Sequence, residues 1–128
     1  MRTIVNDNRP VNLDISTIHL PITAIVSILT RISGVALFVA AALMLYLLDM
    51  SLAGEAGFND AKQLMTSPLA KVVLWLILVA VIYHSLSGIK HVIGDFGVGE
   101  TLEGGVFGSK LVIALAVVIS LLAGVWIW

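Results

Sequence analysis

The sequence predicts an all-α integral membrane protein with three transmembrane helices. The first observation behind this is three long apolar stretches, at about 22–48, 69–93 and 109–128, the last with its apolar run from Leu111. A span needs about 20 predominantly apolar residues, and each stretch reaches or approaches that length. The second observation is composition. Apolar residues make up 59% of the 128 residues and charged residues 12%, whereas a soluble domain carries roughly 25% charge. The third is that most charged residues lie before and between the stretches, with only Arg31, Lys71, Lys90 and Lys110 inside their bounds. Every backbone polar group must be paired within lipid, so spans of this kind are helices.

The segment 1–21 is polar and contains Arg2, Asp7, Arg9 and Asp14. It does not read as a signal peptide, so the first apolar run is expected to be a true span. Pro21 stands at its start, where a missing N–H is tolerated. Ser67-Pro68 opens the second span in the same way. Between them, 49–66 is a polar connection with Gly54, Glu55, Gly57 and Asp60, and 58–65 predicts a short surface helix. The connection 94–108 holds Gly94, Gly97, Gly99, Gly104, Gly105 and Gly108, and is expected to be a turn-rich loop. Trp75, Trp126, Trp128, Tyr46 and Tyr83 read as interfacial anchors. The chain makes one membrane domain without repeats.

Positive charge sets orientation. Arg2, Arg9, Arg31, Lys90 and Lys110 lie toward one side; only Lys62 and Lys71 lie toward the other. This places the N-terminus and the second connection in the cytoplasm. A net charge of −1 argues against a nucleic-acid partner. The absence of cysteine removes disulfides, iron–sulfur ligation and thiolate haem ligation from this chain.

Polar residues within spans are costly and mark function or packing. Ser27, Arg31 and Gly34 follow i, i+4, i+7 and share a helix face, with Thr30 and Ser33 adjoining. Arg31 lies roughly 15 Å along the helix at 1.5 Å per residue. One reading has it snorkel to the headgroups. The other makes it a fixed cation facing an anionic or carbonyl group of a ligand, with Ser27 donating a hydrogen bond one turn deeper.

His84, Gly88, His91 and Asp95 form a second stripe on one face of the second span. His84 is near mid-span, too deep to snorkel. Its imidazole either makes an interhelical hydrogen bond to a serine or carbonyl, or serves as an axial ligand to haem iron. Gly88, one turn away, would let a flat macrocycle lie against the backbone. His91 cannot oppose His84 on the same iron. Seven residues of helix span about 10.5 Å, and opposite ligands lie about 4 Å apart at roughly 2 Å per Fe–N bond. Lys90 and His91 at the surface could instead meet haem propionates, or form a solvated helix end. Asp95 could carry protons or be a helix-end charge.

Two runs carry a family resemblance. Arg9-Pro10-Val11-Asn12-Leu13-Asp14, Pro21-Ile22-Thr23-Ala24-Ile25, Ser27-Ile28-Leu29 and Arg31-Ile32-Ser33-Gly34 form the first. His84, Gly88-Ile89, His91 and Asp95 form the second. Together they resemble the signatures of the cytochrome b subunit of succinate dehydrogenase. Three positions depart from that pattern: Thr30 where the family usually has His, Lys90 for Arg, and Gly94 for an aromatic or Met.

The resemblance implies one haem b shared between two membrane anchors, with His84 as axial ligand to the haem iron. Arg31, His91 and Lys90 become candidate propionate contacts. Ser27 and Arg31 match quinone-binding positions, with ubiquinone as the acceptor. The implied partners are a second membrane anchor supplying the other haem ligand, an iron–sulfur subunit, a flavoprotein subunit and membrane lipid. The implied role is a subunit of succinate:quinone oxidoreductase, not catalytic alone, in a bacterial inner membrane. Two other functions fit parts of the sequence. A haem-free quinone-binding anchor of fumarate reductase type is argued against by His84 on the Gly88 face. A small transporter subunit would need polar residues in all three spans, yet the third has only Ser120 in its interior.

Overall fold

The computed structural model describes Asp14 and residues 17–128. Arg2 and the stretch Arg9-Pro10-Val11-Asn12-Leu13 lie outside the described residues. The described residues form four helices: α1 (Ile22–Leu52), α2 (Glu55–Thr66), α3 (Pro68–Asp95) and α4 (Leu102–Ile127). Three of them, α1, α3 and α4, are long and apolar enough to cross a membrane, as the hydrophobic pattern predicts. α1 has 31 residues, about 46 Å at 1.5 Å per residue. That exceeds a hydrocarbon core of about 30 Å, so α1 continues past the expected end near Leu48. α2 is longer than the predicted 58–65.

Each start has a local cause. Pro21 is extended before α1, and its carbonyl accepts from the Ala24 and Ile25 amides. Ser67 caps α3 by accepting from the Ala70 amide at 3.2 Å, with Pro68 in the first turn. Thr101 caps α4 by accepting from the Gly104 amide at 3.1 Å. These side chains satisfy donors that the helix itself leaves unpaired.

The start of α4 corrects the sequence expectation. Only the stretch between Asp95 and Leu102 is a connection, and Gly104, Gly105 and Gly108 lie inside the helix. Close packing explains them. A Cβ on Gly104 would lie 2.7 Å from the Gly99 Cα, and one on Gly108 would lie 3.3 Å from the Lys90 Cε. Gly99 and Gly97 have φ near +80°, the left-handed region that glycine enters without strain. Glycine thus serves two ends here: it makes the turn, and it lets the helix dock against it.

α3 lies between α1 and α4 and packs against both. The buried seam is built from small residues: Val26, Ser33 and Ala40 on α1, Ser87 on α3, and Ser109, Val112, Ala116 and Ser120 on α4. Small side chains let helices approach where lipid offers no hydrophobic drive to bring them together. Large apolar side chains point outward instead, Phe38 at 82% exposure among them. At the far end, Trp75 Nε1 donates to the Ser120 carbonyl at 2.8 Å and lies over Gly124. Lys71 Nζ donates to the Ile127 carbonyl at 3.1 Å, setting a cation at the negative end of α4's dipole.

Candidate functional site

The α1–α3 contact is polar at mid-span, and His84 is its centre. His84 Nδ1 lies 3.0 Å from Ser33 Oγ and 3.2 Å from the Thr30 carbonyl. Ser33 Oγ donates to that same carbonyl at 2.8 Å. One turn away, the Thr30 hydroxyl bonds to Ser87 Oγ and donates back to the Val26 carbonyl. Tyr83 donates to the Val26 carbonyl as well, at 2.8 Å. Helix geometry explains why these residues meet. The antiparallel register sets Thr30 against Ser87 and Ser33 against His84, so residues one turn apart on α1 face residues one turn apart on α3.

Counting donors gives the tautomer in which every contact is a hydrogen bond. Ser33 donates its one hydroxyl hydrogen to the Thr30 carbonyl, and a carbonyl only accepts. Both contacts of His84 Nδ1 are then hydrogen bonds when Nδ1 carries the proton, an assignment made from this network. Nε2 then carries the lone pair, and neither of the ring's hydrogen bonds uses it. The interhelical bond expected as one reading of His84 is present, and it occupies one ring nitrogen only. Gly88, one turn along, has open space beside it: a Cβ there would meet nothing within 4 Å. A second glycine, Gly34, lies against the ring, where a Cβ would come 3.3 Å from His84 Cε1.

The remaining candidates divide into two places. Ser27 is half-buried and Arg31 exposed on α1, and Arg31 makes no hydrogen bond or ion pair with a described residue. Lys90, His91 and Asp95 line a recess of about 550 Å³ with Glu100, Phe107 and Leu111, where α3 ends and α4 begins. The methylene stem of Lys90 lies along Gly108. The fold thus joins Lys90, His91 and Asp95 at one helix end.

Three residues have roles that pattern reasoning missed. Ser87 is fully buried against Thr30. Tyr83 and Trp75 are interhelical donors, a role that reading them as interfacial anchors did not include. Depth was the available signal for Tyr83: it adjoins the mid-span His84, too far in for a headgroup contact. Ser87 gives no such signal, because a serine on an apolar helix reads the same whether it packs or binds.

Comparison with known proteins decides among the functional alternatives. The family described as Succinate dehydrogenase/Fumarate reductase transmembrane subunit matches residues 5–123. The chain belongs to this family. A Coxiella burnetii protein named succinate dehydrogenase cytochrome b556 subunit is 38% identical, over 97% of this chain and 100% of its own length. The Paracoccus denitrificans protein of the same name is 32% identical, over 95% of this chain and 94% of its own length. A Porphyra purpurea protein named succinate dehydrogenase cytochrome b560 subunit is 29% identical over 91% of this chain. As a family member, the chain is a transmembrane subunit of a respiratory oxidoreductase, and its three long apolar helices are that subunit's membrane part.

Proposed function

We propose that this chain is the succinate dehydrogenase anchor that holds one haem b with a partner anchor and forms part of the site where quinone is reduced. The observation that carries the reading is His84: a mid-span imidazole with Nδ1 held and Nε2 uncommitted. In hydrocarbon a polar nitrogen without a partner is costly, so Nε2 calls for one from outside the chain. A neutral imidazole whose other N–H is fixed by a carbonyl is the usual form of a metal-ligating histidine. The open space at Gly88 suits a flat group beside the helix. The donor set fits a haem.

His84 would hold the iron from this side, and a second membrane anchor would supply the other histidine. Arg31, His91 and Lys90 are the cations of this chain that propionates would meet at the same membrane face. When bound, the haem supplies a one-electron redox centre within the membrane. Ser27 hydrogen-bonds a quinone carbonyl, and Arg31 stabilises the charge that develops on the ring oxygens as electrons arrive. Succinate oxidation itself belongs to the flavoprotein subunit, and an iron–sulfur subunit passes the electrons on, so this subunit holds no complete active site. The acceptor is ubiquinone. The N-terminus and the α3–α4 connection face the cytoplasm of a bacterium whose inner membrane the chain spans. A haem-free anchor would leave the His84 Nε2 without a use.

The test is a reduced-minus-oxidised spectrum of the purified complex. The wild type should show a low-spin b-type haem, and His84→Leu should lose or alter it. An unchanged spectrum and midpoint potential in that variant would assign the ligand elsewhere.

A further inference from the structure

The partner anchor and the iron would fix Nε2 of His84, but nothing in that pair fixes the rotation of the ring. In this fold α1 supplies that constraint. Ser33 is only 8% exposed, and its Oγ meets Nδ1 at 3.0 Å while its hydrogen is committed to the Thr30 carbonyl. It can only accept from the ring. The Thr30 carbonyl accepts from the same N–H at 3.2 Å. Two acceptors on one side of the imidazole define both the proton position and the ring plane. The next residue sets how close the ring comes. Gly34 leaves the gap that His84 Cε1 occupies, and a Cβ there would sit 3.3 Å away, tighter than ordinary van der Waals contact.

We propose that Ser33 and Gly34 are positioning residues for the axial histidine: Ser33 fixes its tautomer and ring plane, and Gly34 its depth against α1. The inference rests on the haem reading of His84. It assigns α1, which offers no ligand of its own, a direct influence on the haem's electronic structure. Partners of this kind, one bond removed from a metal, change affinity by roughly 10- to 100-fold when lost.

The experiment uses the assembled complex carrying Ser33→Ala, Ser33→Thr, Gly34→Ala or Ser87→Ala. Two quantities are read: the highest-g feature in the electron paramagnetic resonance spectrum of the oxidised low-spin haem, which responds to ring plane, and the rate of haem transfer to an apo-globin scavenger. Ser33→Ala should move the g feature and speed haem loss by about tenfold. Ser33→Thr keeps the hydroxyl and should restore both. Gly34→Ala should move the g feature with the hydroxyl intact, so it decides the matter if Ser33→Ala does not assemble. Ser87→Ala breaks an interhelical hydrogen bond that does not touch His84, and should leave both readings at wild type. Equal behaviour of Ser33→Ala and Ser87→Ala, or wild-type spectra in Ser33→Ala and Gly34→Ala, would overturn the proposal. A wild-type complex without a b-type spectrum would overturn the haem reading itself, and the two failures are thereby distinct.

Discussion

His84 commits only one ring nitrogen to its neighbours, so the packing reading and the ligand reading of its position are compatible. Nδ1 takes the packing role, through Ser33 and the Thr30 carbonyl, and neither of these contacts uses Nε2. Thr30 is equally informative. It stands where the family usually has His, and its hydroxyl is spent on Ser87 and the Val26 carbonyl within the α1–α3 contact. Arg31 is therefore the cation that α1 presents beside it. An arginine–carbonyl hydrogen bond is charge-assisted and contributes about 1.5–3 kcal/mol, or about ten- to a hundredfold in rate. Ser27→Ala and Arg31→Leu are thus expected to slow quinone reduction by that range. Reduction of a dye that takes electrons upstream should stay near wild type, with assembled complex quantified in each case. If the ratio of the two activities matches wild type in both variants, Ser27 packs and Arg31 merely reaches for headgroups.

At the scale of elements, the start of α4 shows where composition misleads. Six glycines between Gly94 and Gly108 suggest a loop, because glycine weakens a helix by about 0.5–1 kcal/mol relative to alanine. Four of them are helical, Gly94 in α3 and Gly104, Gly105 and Gly108 in α4; close neighbours leave no room for a Cβ at Gly104 and little at Gly108, and the Thr101 cap starts α4 early. The same contacts make a prediction about stability. Gly104→Ala places a Cβ 2.7 Å from backbone at Gly99, where a flexible side chain is not available to yield. Overpacking of this kind costs about 1–3 kcal/mol. Gly94→Ala, where a Cβ meets nothing within 4 Å, should be neutral or stabilising. Thermal unfolding of the complex carrying each variant measures the contrast, and a Gly104→Ala midpoint at or above that of Gly94→Ala would mean that the tight turn is not what holds α4 in place.

The whole molecule is arranged in the reverse of a soluble bundle. Small and polar side chains form its seam, and its large apolar ones face out, toward lipid or another membrane subunit. On the haem reading proposed above, this chain offers one well-placed histidine, which would not complete bis-histidine ligation. His91 does not supply the second. It lies at the helix end, with Lys90 and Asp95 at the recess beside α4. Expression of this chain alone is therefore expected to yield membrane-inserted protein with little bound haem, and co-expression with its partner anchor to restore it. Pyridine haemochrome quantification per mole of chain makes the comparison. Full haem loading of the isolated chain would show that the ligation is completed within it or between its own copies.

The sequence by itself determined the three spans, the Ser-Pro start of α3, and the family, because each depends on local chemistry: apolar length, capping residues and motif spacing. It also placed His84 at mid-span, since depth in a helix is a count of residues. The tertiary structure alone decided which neighbours those residues acquired. The engagement of Nδ1 by Ser33, the burial of Ser87, the inward turn of Tyr83 and the helical state of Gly104 all depend on the register of one helix against another. In an almost uniformly apolar sequence the hydrophobic pattern does not report that register, because every face of each span is compatible with lipid. Small residues and interhelical hydrogen bonds set it, and those act only once the helices have met.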